Sequence, residues 1–227
     1  MGFSAKSTVL VITLVFHGLV AQANDDLTAQ AGIVSDYVFR GISQTDNSAA
    51  LQAGAEYRHS KGPYFGAWGS KVDLPSGSDV ELDIYGGLSN ELVKSNIGWD
   101  LGYILYRYNE SMDNFEEFYG SLSFDAAPTV TLITKLSRDQ DNGVTVAEMM
   151  GVFKVKENIS FKARPGYVNA SGSGNDYRFF QLGAGLDIPL KRYAKKLAAE
   201  LSFSDTDINN RSSRTESIWW LSLIAHF

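Results

Sequence analysis

The last twelve residues of the chain, Glu216 to Phe227, read ESIWWLSLIAHF. Counted back from the carboxyl end, Phe227, Ala225, Leu223, Leu221 and Trp219 are all apolar. The alternate positions, His226, Ile224, Ser222, Trp220 and Ile218, mix polar and apolar groups. A period of two is the signature of a β-strand, and this strand has one wholly apolar face. A strand tilted across a bilayer needs about 9–11 residues, apolar toward lipid and mixed toward a lumen. A buried sandwich strand would alternate in the same way, so the rest of the chain has to decide between the two.

The opposite end carries Lys6, an apolar run from Val9 to Phe16, and then Ala21-Gln22-Ala23. A basic start, a short apolar stretch and an A-x-A site predict a signal peptide over residues 1–23. The run is too short for a membrane-spanning helix. The mature domain is then 24–227, a length that suits one β-barrel. The absence of cysteine fits an exported envelope protein that does without disulfides. Without Lys6 the net charge is about −7, which argues against nucleic acid, a partner that calls for a basic face. No later run approaches the length of a membrane helix. Any crossing would have to be made by strands closed into a barrel, where lipid meets no unpaired backbone group.

The alternation recurs along the whole chain. Strands are predicted at 28–40, 49–58, 64–73, 79–88, 96–108, 115–125, 129–137, 143–155, 159–168, 177–188, 195–204 and 216–227. These twelve strands, separated by turn clusters and long for a sandwich, predict an all-β fold. It is a transmembrane antiparallel up-and-down β-barrel with both termini at the periplasmic end. Polar segments 41–48, 74–78, 109–114, 138–142, 169–176 and 205–213 become its outer loops. Phe39, Tyr64, Phe115, Phe124, Tyr167, Trp219 and Phe227 sit near strand ends, where aromatic girdles anchor barrels at the two interfaces. Pro165, inside a strand, removes a ladder hydrogen bond.

The face opposite the apolar one is charged. Asp36, Arg40, Glu56, Arg58, Glu81, Asp83, Asp100, Glu117, Lys135, Glu148, Lys162 and Arg164 fall on inward positions, with Lys71, Lys154 and Glu200 beside them. Burying such a face in a sandwich would be prohibitively costly, whereas a barrel can turn it to a watery or ion-paired lumen. Twelve strands lie between the filled barrels of eight and the open pores of sixteen to eighteen. Acids dominate the fourth to sixth strands and bases the seventh to ninth. Opposed walls of this kind would set a transverse field across a narrow channel; pairing between them would seal a plugged barrel. Asp36 and Arg40, four apart on one strand, would stand about 13 Å from each other and need partners on neighbouring strands.

An enzyme is disfavoured. The mature histidines, His59 and His226, fall at the periplasmic end and leave no base for chemistry at the outer rim. A binding or adhesion barrel is the third class. Asp139-Gln140-Asp141-Asn142 and Asp205 to Asn209 space oxygen ligands like the start of a calcium loop, without its Gly or closing Glu. Solvated acidic loops facing lipopolysaccharide and its divalent ions account for them as well. No phosphate loop, metal cluster or cofactor motif is present, so no cofactor and no metal is expected.

Ser35 to Thr45, SDYVFRGISQT, resembles the signature of TorF-type porins, exported envelope proteins of proteobacteria. Ala50-Leu51-Gln52, Gly62-Pro63-Tyr64-Phe65-Gly66-Ala67-Trp68 and Glu81-Leu82-Asp83-Ile84-Tyr85-Gly86-Gly87 continue the likeness over residues 33 to 87. The terminal Phe227 also resembles the carboxyl-terminal assembly signal of outer-membrane proteins. Together these resemblances imply a barrel in the bacterial outer membrane with a channel-like role. Its partners would be outer-membrane lipid and lipopolysaccharide, the barrel assembly machinery and small solutes.

Overall fold

The computed structural model describes residues 25–92, 95–110, 113–170, 175–190, 192–209 and 211–227. The signal-peptide expectation over 1–23 lies outside the described residues. Twelve strands close into one antiparallel barrel, each beside its neighbours in sequence, and the first pairs with the last. Among the described residues no helix is long and apolar enough to cross a membrane.

The order along the chain is β1 (Asp26–Val34), a two-stranded hairpin β2 (Val38–Phe39) and β3 (Ile42–Ser43), then β4 (Ala50–Arg58) and β5 (Pro63–Lys71). Next come β6 (Val80–Glu91), β7 (Ile97–Tyr108), β8 (Phe115–Ala127), β9 (Val130–Asp139) and β10 (Thr145–Lys156). The circuit ends with β11 (Ile159–Asn169), β12 (Tyr177–Pro189), β13 (Lys196–Thr206) and β14 (Ile218–His226). Closure is made by β1 and β14, with Ala31 opposite Ala225 and Ile33 opposite Leu223.

The terminal strand sorts its residues by parity. Trp219, Leu221, Leu223 and Phe227 are exposed, while Ile218, Trp220, Ile224 and His226 are buried. Every strand of the circuit follows suit, so Leu51, Phe65, Ile84, Leu101, Phe118, Leu136, Phe161, Leu182 and Leu201 make a continuous apolar exterior. A barrel closed on itself has no unpaired edge, and its apolar exterior matches a hydrocarbon surround.

Inside, bulky rings lie over cross-strand glycines. Gly102 faces Tyr119, and a methyl at Gly102 would meet the Tyr119 ring at 2.4 Å. Gly166 faces Phe179, and a methyl there would come within 2.2 Å of that ring. The missing side chain lets an aromatic lie flat on the wall, which fills the lumen in layers.

The structure corrects the sequence reading at the first strand. Strand β1 stops at Val34, opposite Ala50, rather than running to Arg40. Of the segment expected as the outer loop 41–48, residues 41–45 instead fold back into the lumen together with 36–40, while Asp46, Asn47 and Ser48 stay exposed at the rim. Phe39, Tyr64 and Phe115, expected in the girdles, are also inside: Tyr64 is buried, and Phe115 stacks on Tyr106 with ring centroids 4.1 Å apart. Lys71, expected inward, is exposed, because Trp68 and Ser70 take the inward parity of β5.

Candidate functional site: a hairpin in the lumen

The hairpin begins where Ser35 leaves the barrel, its amide donating to the Leu221 carbonyl at 2.8 Å. Val38 pairs with Ser43 and Phe39 with Ile42, so Arg40 and Gly41 form a two-residue turn. Both have positive φ, 50° and 85°, the left-handed conformation that tight hairpin turns require. Glycine adopts it freely, and Arg40 does so at a cost of about 1 kcal/mol or more.

The hairpin supplies its own polar partners. Asp36 Oδ1 accepts from Ser43 Oγ at 2.7 Å and from Thr45 Oγ1 at 2.8 Å. The Tyr37 amide donates to Thr45 Oγ1, and the Gln44 amide to the Tyr37 carbonyl. Asp36 therefore finds its partners within its own segment, not on neighbouring strands. Tyr37, Val38 and Arg40 are all buried.

Arg40 joins the tip to the far wall. Its Nη1 and Nη2 donate to Glu117 Oε1 and Oε2 at 2.7 and 2.8 Å, and Nη2 also reaches Ser137 Oγ at 3.1 Å. A forked pair of this kind is the strong form of a charge-assisted bond. Phe39 packs against Ile133, Met150 and Val152, and Val38 clusters with Ile218 and Trp220. At the rim, the Ser43 amide donates to the Arg214 carbonyl and Asn47 Nδ2 to the Ser213 carbonyl.

The other charged positions named from the sequence lie on the barrel wall. Glu81 and Asp83 (β6), Asp100 (β7), Glu117 (β8), Lys135 (β9), Glu148 (β10) and Arg164 (β11) are buried inside. Glu56, Arg58 and Lys162 are half-buried at the same parity. The acids on β6 to β8 and the bases on β9 to β11 form adjacent arcs that meet at β8 and β9. They are neighbours in the circuit, not walls facing across the lumen.

Three ion pairs close on the wall itself, among β4, β10, β11 and β13. Arg164 Nε donates to Glu148 Oε1 at 3.0 Å, Lys162 pairs with Glu200, and Arg58 pairs with Glu56 at 2.8 Å. Lys135 Nζ stands 4.2 Å over the Tyr119 ring. The β6 acids are different. Glu81 accepts from the hydroxyls of Tyr37 (3.4 Å) and Tyr108 (3.0 Å). Glu81 Oε2, Asp83 Oδ1 and the Tyr106 hydroxyl have no hydrogen-bond partner among the described residues. Nearby, the Tyr64 hydroxyl donates to Asp100 at 2.6 Å and contacts the Tyr119 hydroxyl.

Between the hairpin and the walls is a small cavity of about 50 Å³, lined by Gln30, Tyr37, Trp68, Glu200 and Trp220 among others. At the termini end, His59 lies in the turn after β4 and His226 ends β14. The acidic loops consume their own oxygens. Asp139 accepts from the Asp141 and Asn142 amides and from Asn142 Nδ2, and Asp205 pairs with Arg211.

The sequence motif SDYVFRGISQT was visible, but its place in the lumen was not. The signal that could have found it is the Arg40-Gly41 pair, a turn candidate at the boundary between the expected strand 28–40 and loop 41–48, with Val38 and Phe39 before it and Ile42 after it.

A closed barrel with an apolar exterior, a charged interior and an inserted segment defines a porin-like membrane barrel. The chain belongs to the family described as "Bacterial protein of unknown function (Gcw_chp)", which it matches over residues 20–221. No curated protein matches its sequence. Among solved structures it is similar to the KdgM porin, with a TM-score of 0.62, 6% identity, and coverage of 89% of this chain and 98% of that one. It is also similar to the NanC porin, with a TM-score of 0.54, 10% identity, and coverage of 88% and 98%. The COG4313 outer membrane channel from Pseudomonas putida F1 gives a TM-score of 0.52, 11% identity, and coverage of 95% and 98%. At these identities the likeness is one of fold.

Proposed function

We propose that this chain is an outer-membrane channel for passive diffusion of small solutes. The observation that carries the reading is the parity of the wall: the same strands present Leu101 and Leu201 outward and Asp100 and Glu200 inward. An apolar exterior suits lipid, and a charged interior suits water and ions. The TorF-type signature at 35–45, the likeness to porins and the expected signal peptide at 1–23 all support an outer-membrane location. The lumen-facing charges from Glu56 to Arg164 are then the surface that a solute meets, and no catalytic step is invoked. The terminal Phe227 serves assembly.

A second reading, a plugged barrel with a binding or structural role, is favoured by one observation, the hairpin lodged against Glu117. Single-channel recording of the refolded mature protein in a planar bilayer decides between them. Discrete conductance steps are expected. Silence from a barrel shown to be folded by its heat-modifiable mobility would favour the plugged barrel.

A further inference from the structure

The barrel does not need the hairpin to close. Val34 at the end of β1 already pairs with Ala50 at the start of β4. Residues 35–49 are thus an excursion from a ladder that is complete without them. Moving them would break no strand pairing in the barrel circuit.

The hairpin is also built to move as one body. Its backbone pairs within itself, and the Asp36 carboxylate is bonded by its own Ser43 and Thr45. A segment that carries its hydrogen bonds with it leaves few orphaned groups when it shifts. Its base is tied at the rim by the Ser43 amide on the Arg214 carbonyl, the Asp73 amide on the Gln44 carbonyl and an Asp46–Arg214 ion pair. Deep in the lumen its polar ties are made by Arg40 and Tyr37. Arg40 is held on Glu117 and Ser137, whereas the Tyr37 to Glu81 contact is long at 3.4 Å. An arginine occupies a left-handed position where glycine would be relaxed, so the turn accepts strain in exchange for the guanidinium.

We propose that the hairpin at 35–47 is a gate latched by Arg40 on Glu117, and that its withdrawal uncovers an acidic, tyrosine-lined wall that makes the open pore prefer cations. This rests on the channel reading above.

The solute class follows from what the withdrawal leaves behind. On other walls acids are matched, Glu148 by Arg164 and Glu200 by Lys162. Glu81 and Asp83 make no ion pair among the described residues but hydrogen-bond each other, and the Tyr106 hydroxyl beside them has no hydrogen-bond partner there. Tyr37 is the hairpin's cover over Glu81. When Tyr37 and Arg40 leave, the carboxylates of Glu81, Asp83 and Glu117 stand together on one arc. Asp36 leaves with the hairpin, so the lumen's total charge changes little, and the effect is confined to that arc. Carboxylates framed by phenol rings attract small cations, organic amines included, by charge and by cation–π contact.

The test compares three proteins in planar bilayers under a KCl gradient: the full mature chain, a chain with residues 36–46 replaced by a short Gly-Ser linker, and Glu117→Gln. The linker chain is expected to conduct several-fold more, with a cation-selective reversal potential. Glu117→Gln is expected to flicker between the full-chain and linker-chain levels. Equal conductance in all three would overturn the gate and leave the channel reading standing. A larger but anion-selective conductance would overturn the assignment of the wall. Silence from all three folded barrels would overturn the channel reading, and the gate with it.

If the linker chain fails to fold, thiol labelling of the otherwise cysteine-free full chain serves instead. Val38→Cys, buried in the latched state, is treated with a membrane-impermeant maleimide, with and without Glu117→Gln. Faster labelling when the latch is cut supports the gate, and equal rates overturn it.

Discussion

Arg40 and Glu117, far apart in sequence, meet through a two-armed ion pair with both N–O distances below 3 Å. It joins the tip of an inserted hairpin to the β8 wall, and both side chains are nearly inaccessible to solvent. Buried pairs contribute little net stability but are expensive to break from one side, because the survivor keeps its desolvation cost.

Arg40→Gly tests that cost. Glycine keeps the left-handed turn at φ 50° and removes the whole side chain, the guanidinium together with its methylenes. Glu117 is left buried without its main cation, a loss of about 3–5 kcal/mol before relaxation. The thermal unfolding temperature should fall, and the added Glu117→Gln should restore part of it. No recovery in the double variant would mean that the pair is not coupled.

Gly41→Ala should disturb the hairpin from the other side of the turn. Its φ of 85° is unfavourable for alanine, and the new methyl would lie 2.5 Å from Thr206 Cγ2 and 2.9 Å from Phe179 Cβ. A loss of about 1–3 kcal/mol is expected, seen as a lower unfolding temperature with the barrel's circular dichroism unchanged.

Leu101→Arg probes the exterior. Leu101 is 61% exposed and faces away from the lumen. Arginine in the hydrocarbon zone costs about 2–4 kcal/mol near the midplane. Folding into lipid vesicles should lose that amount, whereas the same change at Leu27, next to the termini end, should lose less. Equal effects would deny a membrane around the β7 face.

Deleting Phe227 should lower the amount of protein in the outer membrane and leave the conductance of the assembled fraction intact. The Phe227 ring is exposed, and its amide donates to the Ala29 carbonyl at 2.9 Å. Membrane fractionation reads the first effect and bilayer recording the second.

Asp25 ties the start of β1 to the turn after β4. Its carboxylate accepts from the Ser60 amide at 3.0 Å and from the Tyr57 hydroxyl at 2.9 Å. The Ser60 amide and then the Tyr57 hydroxyl hold its pKa below the ordinary 3.8. A lowered acid pKa contributes stability above the unfolded value and loses it as pH falls through the folded one. The protection factor of the Ser60 amide, the ratio of its intrinsic to its observed exchange rate at each pH, should therefore be highest at neutral pH and fall in acid below 3.8. Asp25→Asn should remove that pH dependence.

The alternation at 216–227, repeated through eleven other segments, was sufficient to read a twelve-stranded barrel from the sequence. A period of two is a local property, and lipid on one side and polar groups on the other write it into every strand. The inward charges Glu81, Glu117 and Arg164 were legible for the same reason. Local pattern could not say where Ser35 to Thr45 goes, because Tyr37 and Phe39 alternate in a buried hairpin as they would in a spanning strand. Nor could it pair Arg40 with Glu117, since that contact depends on barrel closure and on the direction of one turn. Tertiary structure alone decided that this arginine stands in the lumen against a carboxylate, where charge neutralisation and packing hold a segment whose own sequence also fits a strand.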